Sequence, residues 1–178
     1  ELIHEAGISF QDVKAIAVSQ GPGSYTGLRI GVSAAKGLCY ALNIPLIAVD
    51  TLKVLASQAN VDNGLIVPML DARRMEVYSA IFNAKLEKQR EIQAEVITEN
   101  SFEDITEMVY FVGDCADKCE AVLTKPNFIF LEEIKYPSAK EMSALSFSKF
   151  QNSDFQDVAY FEPYYLKDFM ITTSKKVG

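Results

Sequence analysis

The chain has 178 residues, 49% of them hydrophobic and 23% charged, and a net charge of −7. That balance suits a globular chain with material for a real core. It argues against a protein that grips a phosphate backbone unaided, since no basic cluster is larger than Arg73-Arg74 or Lys175-Lys176. No apolar run approaches the ~20 residues that cross a bilayer, and the acidic residues at Glu1 and Glu5 do not suit an export signal. Cys39, Cys115 and Cys119 are an odd count without framework spacing. They are expected as free thiols of a reducing compartment, so the protein is expected to be cytoplasmic, with no membrane partner. A metal pair at Cys115 and Cys119 would lack a nearby histidine, because His4 is the sole one.

In chain order, residues 2–8 read as the last turns of a helix stopped by Gly7. With Glu1 in place of methionine, the expectation is that an N-terminal portion of the natural protein is absent. Residues 13–19 read as a strand, 20–24 as a turn, and 26–42 as a helix closed by Asn43. Residues 45–49 form a short apolar strand of the buried parallel kind. Asp50-Thr51 can cap a helix over 52–59 by accepting its free amides. This alternation marks a parallel α/β unit. Residues 65–70, 76–82 and 91–98 read as strands with antiparallel pairing, and Ser101 can open a short helix. A strand over 109–112, a helix over 114–123 and a strand over 128–131 follow. Ser138 and Glu141 form a capping box for a helix running to about residue 150, and 172–178 is a polar tail. The chain is thus expected to divide into residues 1–62 and 63–178, with the join between 60 and 98.

The informative stretch is 19–52. Gly21 and Gly23 flank Pro22, so the backbone can turn sharply out of a strand. Gly21, Gly23 and Ser24 form a candidate phosphate-facing turn before a helix N-terminus. The turn lacks the P-loop lysine and the dinucleotide spacing, so a plain tight turn explains it as well. The helix is less ordinary. Gly27, Gly31 and Ala35 recur every four residues, with Ser33, Ala34 and Gly37 beside them. Glycine costs up to about 1 kcal/mol in a helix interior. Either the helix packs closely on its own sheet, or another backbone approaches it from outside. In the second case Arg29, Lys36 and Tyr40 sit on or near the exposed rim.

These residues resemble the bacterial TsaB/YeaZ family. Asp71-Ala72-Arg73-Arg74-Met75-Glu76-Val77-Tyr78 resembles its Asp-Ala-Arg-x-x-Glu-Val-Tyr stretch. Glu162-Pro163-Tyr164-Tyr165-Leu166 resembles its Glu-Pro-x-Tyr-Leu-Arg, with Lys167 in place of the arginine. The resemblance covers about residues 12–167. It implies an actin-like α/β fold of the ASKHA superfamily with two ribonuclease-H-like lobes, the first lacking its opening hairpins here. It also implies a non-catalytic scaffold or activator subunit in the synthesis of threonylcarbamoyladenosine on tRNA. Such a subunit pairs with the catalytic TsaD and the ATPase TsaE, meets tRNA indirectly, and forms a homodimer when alone. The docking surface is then the glycine-bearing helix, with Gly27, Arg29, Ile30, Gly31, Ala34, Ala35, Lys36 and Leu38. No cofactor of its own is implied, and ATP or ADP would sit at an interface shared with partners. Asp71, Arg73, Arg74 and Glu76 are either a surface ion-pair cluster or contacts to a partner or the interlobe cleft, where arginine suits bidentate pairing.

No catalytic residue and no metal site are expected. A glycoprotease-type metallopeptidase needs about three protein ligands for its zinc, and one histidine does not supply them. Ser24 is not in a nucleophile elbow. The stronger alternative is an independent actin-like ATPase or kinase. It would use the Gly21 turn for phosphate, Asp50 or Asp71 for magnesium, and Gly113-Asp114 as the second lobe's loop. Tyr160, Phe161, Tyr164, Tyr165 and Phe169 are expected to pack a terminal segment onto the core rather than to stack bases.

Overall fold

The computed structural model of the protein describes residues 1–73 and 76–166. Arg74, Lys167, Phe169 and the tail 172–178 lie outside the described residues. A short helix α1 (Leu2–Glu5) and a 3-10 turn (Phe10–Asp12) precede β1 (Ile16–Ser19), α2 (Tyr25–Leu42), β2 (Leu46–Val49) and α3 (Thr51–Ala56). The rest of the order is β3 (Leu65–Asp71), β4 (Glu76–Asn83), β5 (Lys88–Val96), β6 (Val109–Val112), α4 (Ala116–Glu120), β7 (Phe128–Phe130) and α5 (Ala139–Gln151).

The helix ends lie where short polar side chains can satisfy free amides. Ser24 Oγ accepts from Gly27 N–H at 3.4 Å, and Asn43 leaves α2 in the left-handed region at φ 52°. Asp50 Oδ1 accepts from the amides of Leu52 and Lys53 at 2.9 and 3.2 Å. Ser138 Oγ accepts from Lys140 N–H at 3.1 Å and opens α5.

β1 and β2 pair in parallel, Ile16 opposite Leu46 and Ser19 opposite Val49. Alternation gives this small sheet two apolar faces. Ile16, Val18 and Leu46 meet Ala35 and Cys39 of α2. Ala15, Ala17, Ile47 and Val49 meet Met142, Leu145 and Phe150 of α5. The second sheet runs β5-β4-β3-β6-β7. β3, β4 and β5 are antiparallel, while β6 and β7 lie parallel to β3. Leu52 and Leu55 of α3 cover one face with Ile66, Phe82 and Val112. Cys115, Cys119 and Leu123 cover the other with Val67, Met69 and Phe111.

The packing corrects the expected division at residue 62. α3 precedes that boundary yet lies on β3 and β4. α5 and residues 156–166 follow it yet pack on β1 and β2. Apolar faces, not sequence proximity, decide the partners. The helix expected at Ser101 is also absent. Residues 98–105 form reverse turns, with Phe102 at φ 61°. The Phe102 ring lies edge-on to Phe111 at 5.5 Å and carries Arg90 5.0 Å above it. Burying that ring outweighs the local helix preference. Arg90 is brought there by register shifts along β4–β5, and it pairs with Glu95 and donates to Ser79 Oγ at 2.6 Å.

Gly113 turns the chain out of β6 at φ 125°, and a Cβ there would run into the Met69 carbonyl. Gly113→Ala is expected to cost at least about 2 kcal/mol, read as a lowered midpoint in urea unfolding.

Candidate docking site on helix α2

Helix α2 has an inner and an outer face. Val32, Ala35 and Cys39 point inward. Gly27, Arg29, Ile30, Gly31, Ala34, Leu38 and Tyr40 are exposed, with Ile30 at 66%, Leu38 at 39% and Tyr40 at 86% of full exposure. Two of the expected interface residues therefore do not belong to the outer face. Ala35, 5% exposed, packs against the β1–β2 sheet because its helical phase matches Val32 and Cys39. Lys36 turns aside and donates from Nζ to the carbonyls of Ala159 at 3.1 Å and Phe161 at 2.9 Å.

Among the described residues, no packing requires the glycines Gly31 and Gly37 of this face. A Cβ at Gly37 would meet nothing within 4 Å, and one at Gly31 would meet only Val18 Cγ2 at 4.0 Å. Close packing onto its own sheet, one of the two readings of the helix, is thus not what keeps these residues small.

The C-terminal segment runs along the flank of α2 as a strap. Gln156 N–H donates to Leu46 O at 2.8 Å, and Tyr164 N–H donates to Gln20 O at 2.7 Å. Phe161 packs with Ala35, Cys39 and Leu46, and the Tyr165 ring lies 4.8 Å from that of Tyr25. Tyr160, in contrast, is 84% exposed. A groove of about 400 Å³ is left between helix and strap, lined by Tyr25, Arg29, Ser33, Phe161, Glu162 and Tyr165 among others. Two motifs far apart in sequence thus form one surface, which reading each stretch by itself did not reveal. The signal in the sequence was Pro163 within an aromatic run, which favours an extended segment.

The candidate phosphate turn is committed elsewhere at Gly21. Its N–H donates to Thr51 Oγ1 at 3.0 Å, and its carbonyl accepts from Thr51 N–H at 3.1 Å. Gly21 and Pro22 are buried, Gly23 is half-buried and Ser24 is exposed, its hydroxyl serving as the α2 cap. The carboxylates considered for magnesium are each paired with a lysine. Asp50 Oδ2 lies 3.2 Å from Lys88 Nζ, and Asp71 pairs with Lys118. Asp114 Oδ1 accepts from Asp71 N–H at 2.9 Å, and Gly113 N–H donates to Ile134 O. Among the described residues no group of three His, Cys, Asp or Glu side chains is placed to hold a metal ion.

Asp71 and Arg73 stand in the β3–β4 turn. The Asp71 carboxylate also accepts from Arg73 N–H at 3.1 Å, and its hydrogen bond from Lys118 holds it below the usual carboxylate range. Arg73, at φ 77°, is exposed, and Glu76 begins β4. Arg74 lies outside the described residues. Among the described residues, the ion pair of Asp71 runs to Lys118 of α4.

These elements have counterparts in known proteins. A family described as "TsaD: tRNA N6-adenosine threonylcarbamoyltransferase" matches residues 1–175. The chain belongs to that family, and within it to the TsaB/YeaZ group. The tRNA threonylcarbamoyladenosine biosynthesis protein TsaB of Escherichia coli is 28% identical over 94% of this chain and 77% of its own length. The protein of the same name from Bacillus subtilis is 45% identical, over 47% of this chain and 37% of its own length. The solved structure of YeaZ from Pseudomonas aeruginosa superposes with a TM-score of 0.79 at 25% identity, covering 93% of this chain and 79% of that one. Threonylcarbamoyltransferases also match over shorter stretches, that of Syntrophobacter fumaroxidans being 51% identical over 53 residues. No helix among the described residues is long and apolar enough to cross a membrane.

Cys39, Cys115 and Cys119 are buried. Burial raises the Cys115 thiol far above its usual range, with the Asp114 carboxylate adding to it, and lifts Cys119 to about 11. The thiolate is the reactive form. All three thiols are therefore expected to resist a disulfide reagent at mildly alkaline pH and to label at once in denaturant, which a colorimetric thiol assay reads directly. Lys36→Met should cost about 1–2 kcal/mol in urea unfolding, because two strap carbonyls lose a charged donor.

Proposed function

We propose that the protein is a non-catalytic scaffold subunit for threonylcarbamoyladenosine formation on tRNA, and that it docks a TsaD-type transferase through the outer face of α2. The observation that carries this reading is the glycine-bearing face. Gly31 and Gly37 bear a helix cost of up to about 1 kcal/mol each that no contact among the described residues explains. Ile30 and Leu38 expose apolar surface beside them. Small residues flanked by apolar ones admit a second helix at short interaxial distance. Membership in the TsaB/YeaZ group supplies the pathway.

The subunit acts by differential affinity. It binds one conformation of its partner better than another and so raises that conformation's population. It contributes no acid, base or metal, and a homodimer through the same face competes with the partner. A TsaE-type ATPase joins the assembly, tRNA is met indirectly, and nucleotide, where present, sits at a shared interface. Asp71 and Arg73 are accessible for a second contact, in which Arg73→Ala weakens assembly without unfolding the chain. The independent ATPase is the weaker reading, because Gly21, Asp50 and Asp71 are all committed within the fold.

The test is to mix the full-length protein with the transferase of the same organism and follow assembly by size-exclusion chromatography with light scattering. A heterodimer that Gly31→Leu abolishes, with unchanged circular dichroism, is the expected result. Absence of any heterodimer together with ATP hydrolysis by this chain alone would sink the reading. Gly37→Ala should stabilise the isolated chain by about 0.5–1 kcal/mol, since its new methyl group enters open space.

A further inference from the structure

Among the described residues, Arg29 is a cation on this surface that forms no ion pair. Lys36, on the same flank of α2, is spent on the strap carbonyls. Arg29 is exposed and forms no ion pair among the described residues. Its guanidinium carbon instead lies 5.5 Å from the centre of the Tyr25 ring, one turn earlier in α2. Tyr25 in turn rests on Tyr165 of the strap. The three side chains follow one another from strap to helix to guanidinium along the groove, the two rings tilted by 33°.

A charged group held over a ring that a second ring backs has already lost part of its rotamer freedom, so pairing it costs less entropy than pairing a free surface arginine. Its planar fork suits a carboxylate, which it can meet bidentately. In a chain of net charge −7, it adds to Lys36 a second positive charge in a groove that Glu162 of the strap also lines. With Lys36 held by the strap carbonyls it is, among the described residues, the cation there that is free to meet an incoming carboxylate.

Resting on the docking reading above, we propose that the groove between α2 and the C-terminal strap receives an Asp or Glu side chain from the partner's docking helix, and that Arg29 is its counter-ion. The small residues of α2 let the partner helix approach, and the Arg29 pair fixes its register along the groove. Charge complementarity selects this occupant. An apolar side chain would leave the guanidinium desolvated and unpaired, which is costly at an interface. The strap is then part of the docking surface through Tyr165.

The test measures the affinity of the full-length protein for the purified transferase of its own organism by isothermal titration at low and high salt. The wild-type complex should weaken as salt rises. Arg29→Glu should raise Kd at least about tenfold and flatten the salt dependence, with Arg29→Lys falling between. Reversing the charge of the facing acidic residue on the partner should restore binding to Arg29→Glu. If Gly31→Leu abolishes the complex while Arg29→Glu changes Kd less than twofold, the docking reading stands and the carboxylate proposal falls. If neither substitution matters, both fall. The salt dependence of the wild-type complex decides the case even if a variant fails to fold, since a salt-indifferent affinity overturns the pair. Arg29-dependent binding of tRNA by this chain alone would also overturn it, in favour of a phosphate.

Discussion

Three distant segments are pinned at the main chain of Ser19, Gln20 and Gly21. Ser19 Oγ shares a hydrogen bond of 2.5 Å with Thr51 Oγ1, which also accepts from Gly21 N–H. Thr51 N–H returns to Gly21 O, and Tyr164 N–H closes on Gln20 O. The end of β1, the start of α3 and the strap therefore share one junction. Gly21 is required there, at φ 113°, because a Cβ would stand 2.7 Å from Tyr164 O. The direction in which α2 leaves the sheet, and the flank it offers to the strap, both follow from this junction.

The junction also explains why a turn that looks like an anion cradle does not act as one at Gly21. An anion site needs amides aimed at solvent. Here one side of the turn faces Thr51 and the other faces the strap. Neighbouring acids are handled alike. Asp50 divides its oxygens between the α3 cap and Lys88, which joins the first sheet's end to β5. The fold uses these polar groups as fasteners between its own segments.

Much of this was legible in the sequence, and what was not has definite causes. The caps at Ser24, Asp50 and Ser138 and the stop at Asn43 are local chemistry, so they could be read locally. The inner and outer phases of α2 could be read less well. Ala35 and Lys36 are ambiguous in a helix of small residues, and only the position of the strap decides that Lys36 turns inward. Phe102 was misread because a capping pattern was weighed without the buried ring beside it. The division of the chain was misplaced because α5 follows the second sheet in sequence but covers the first. The β4–β5 register shifts, which bring Arg90 to Ser79 and Glu95, leave no mark in hydrophobic periodicity.

The strap has a consequence for synthesis. Residues 156–166 cover the flank of a helix that lies more than a hundred residues earlier in the chain and so emerges from the ribosome well before them. Until they arrive, Leu46 lacks its edge partner Gln156, and Phe161 is missing from the cluster with Ala35 and Cys39. A chain interrupted before this segment would thus leave the α2 flank open to solvent. Exposed apolar surface of that kind is what chaperones and proteases act on. Closure of this part of the core therefore waits on a segment made long after the helix and strands that it covers.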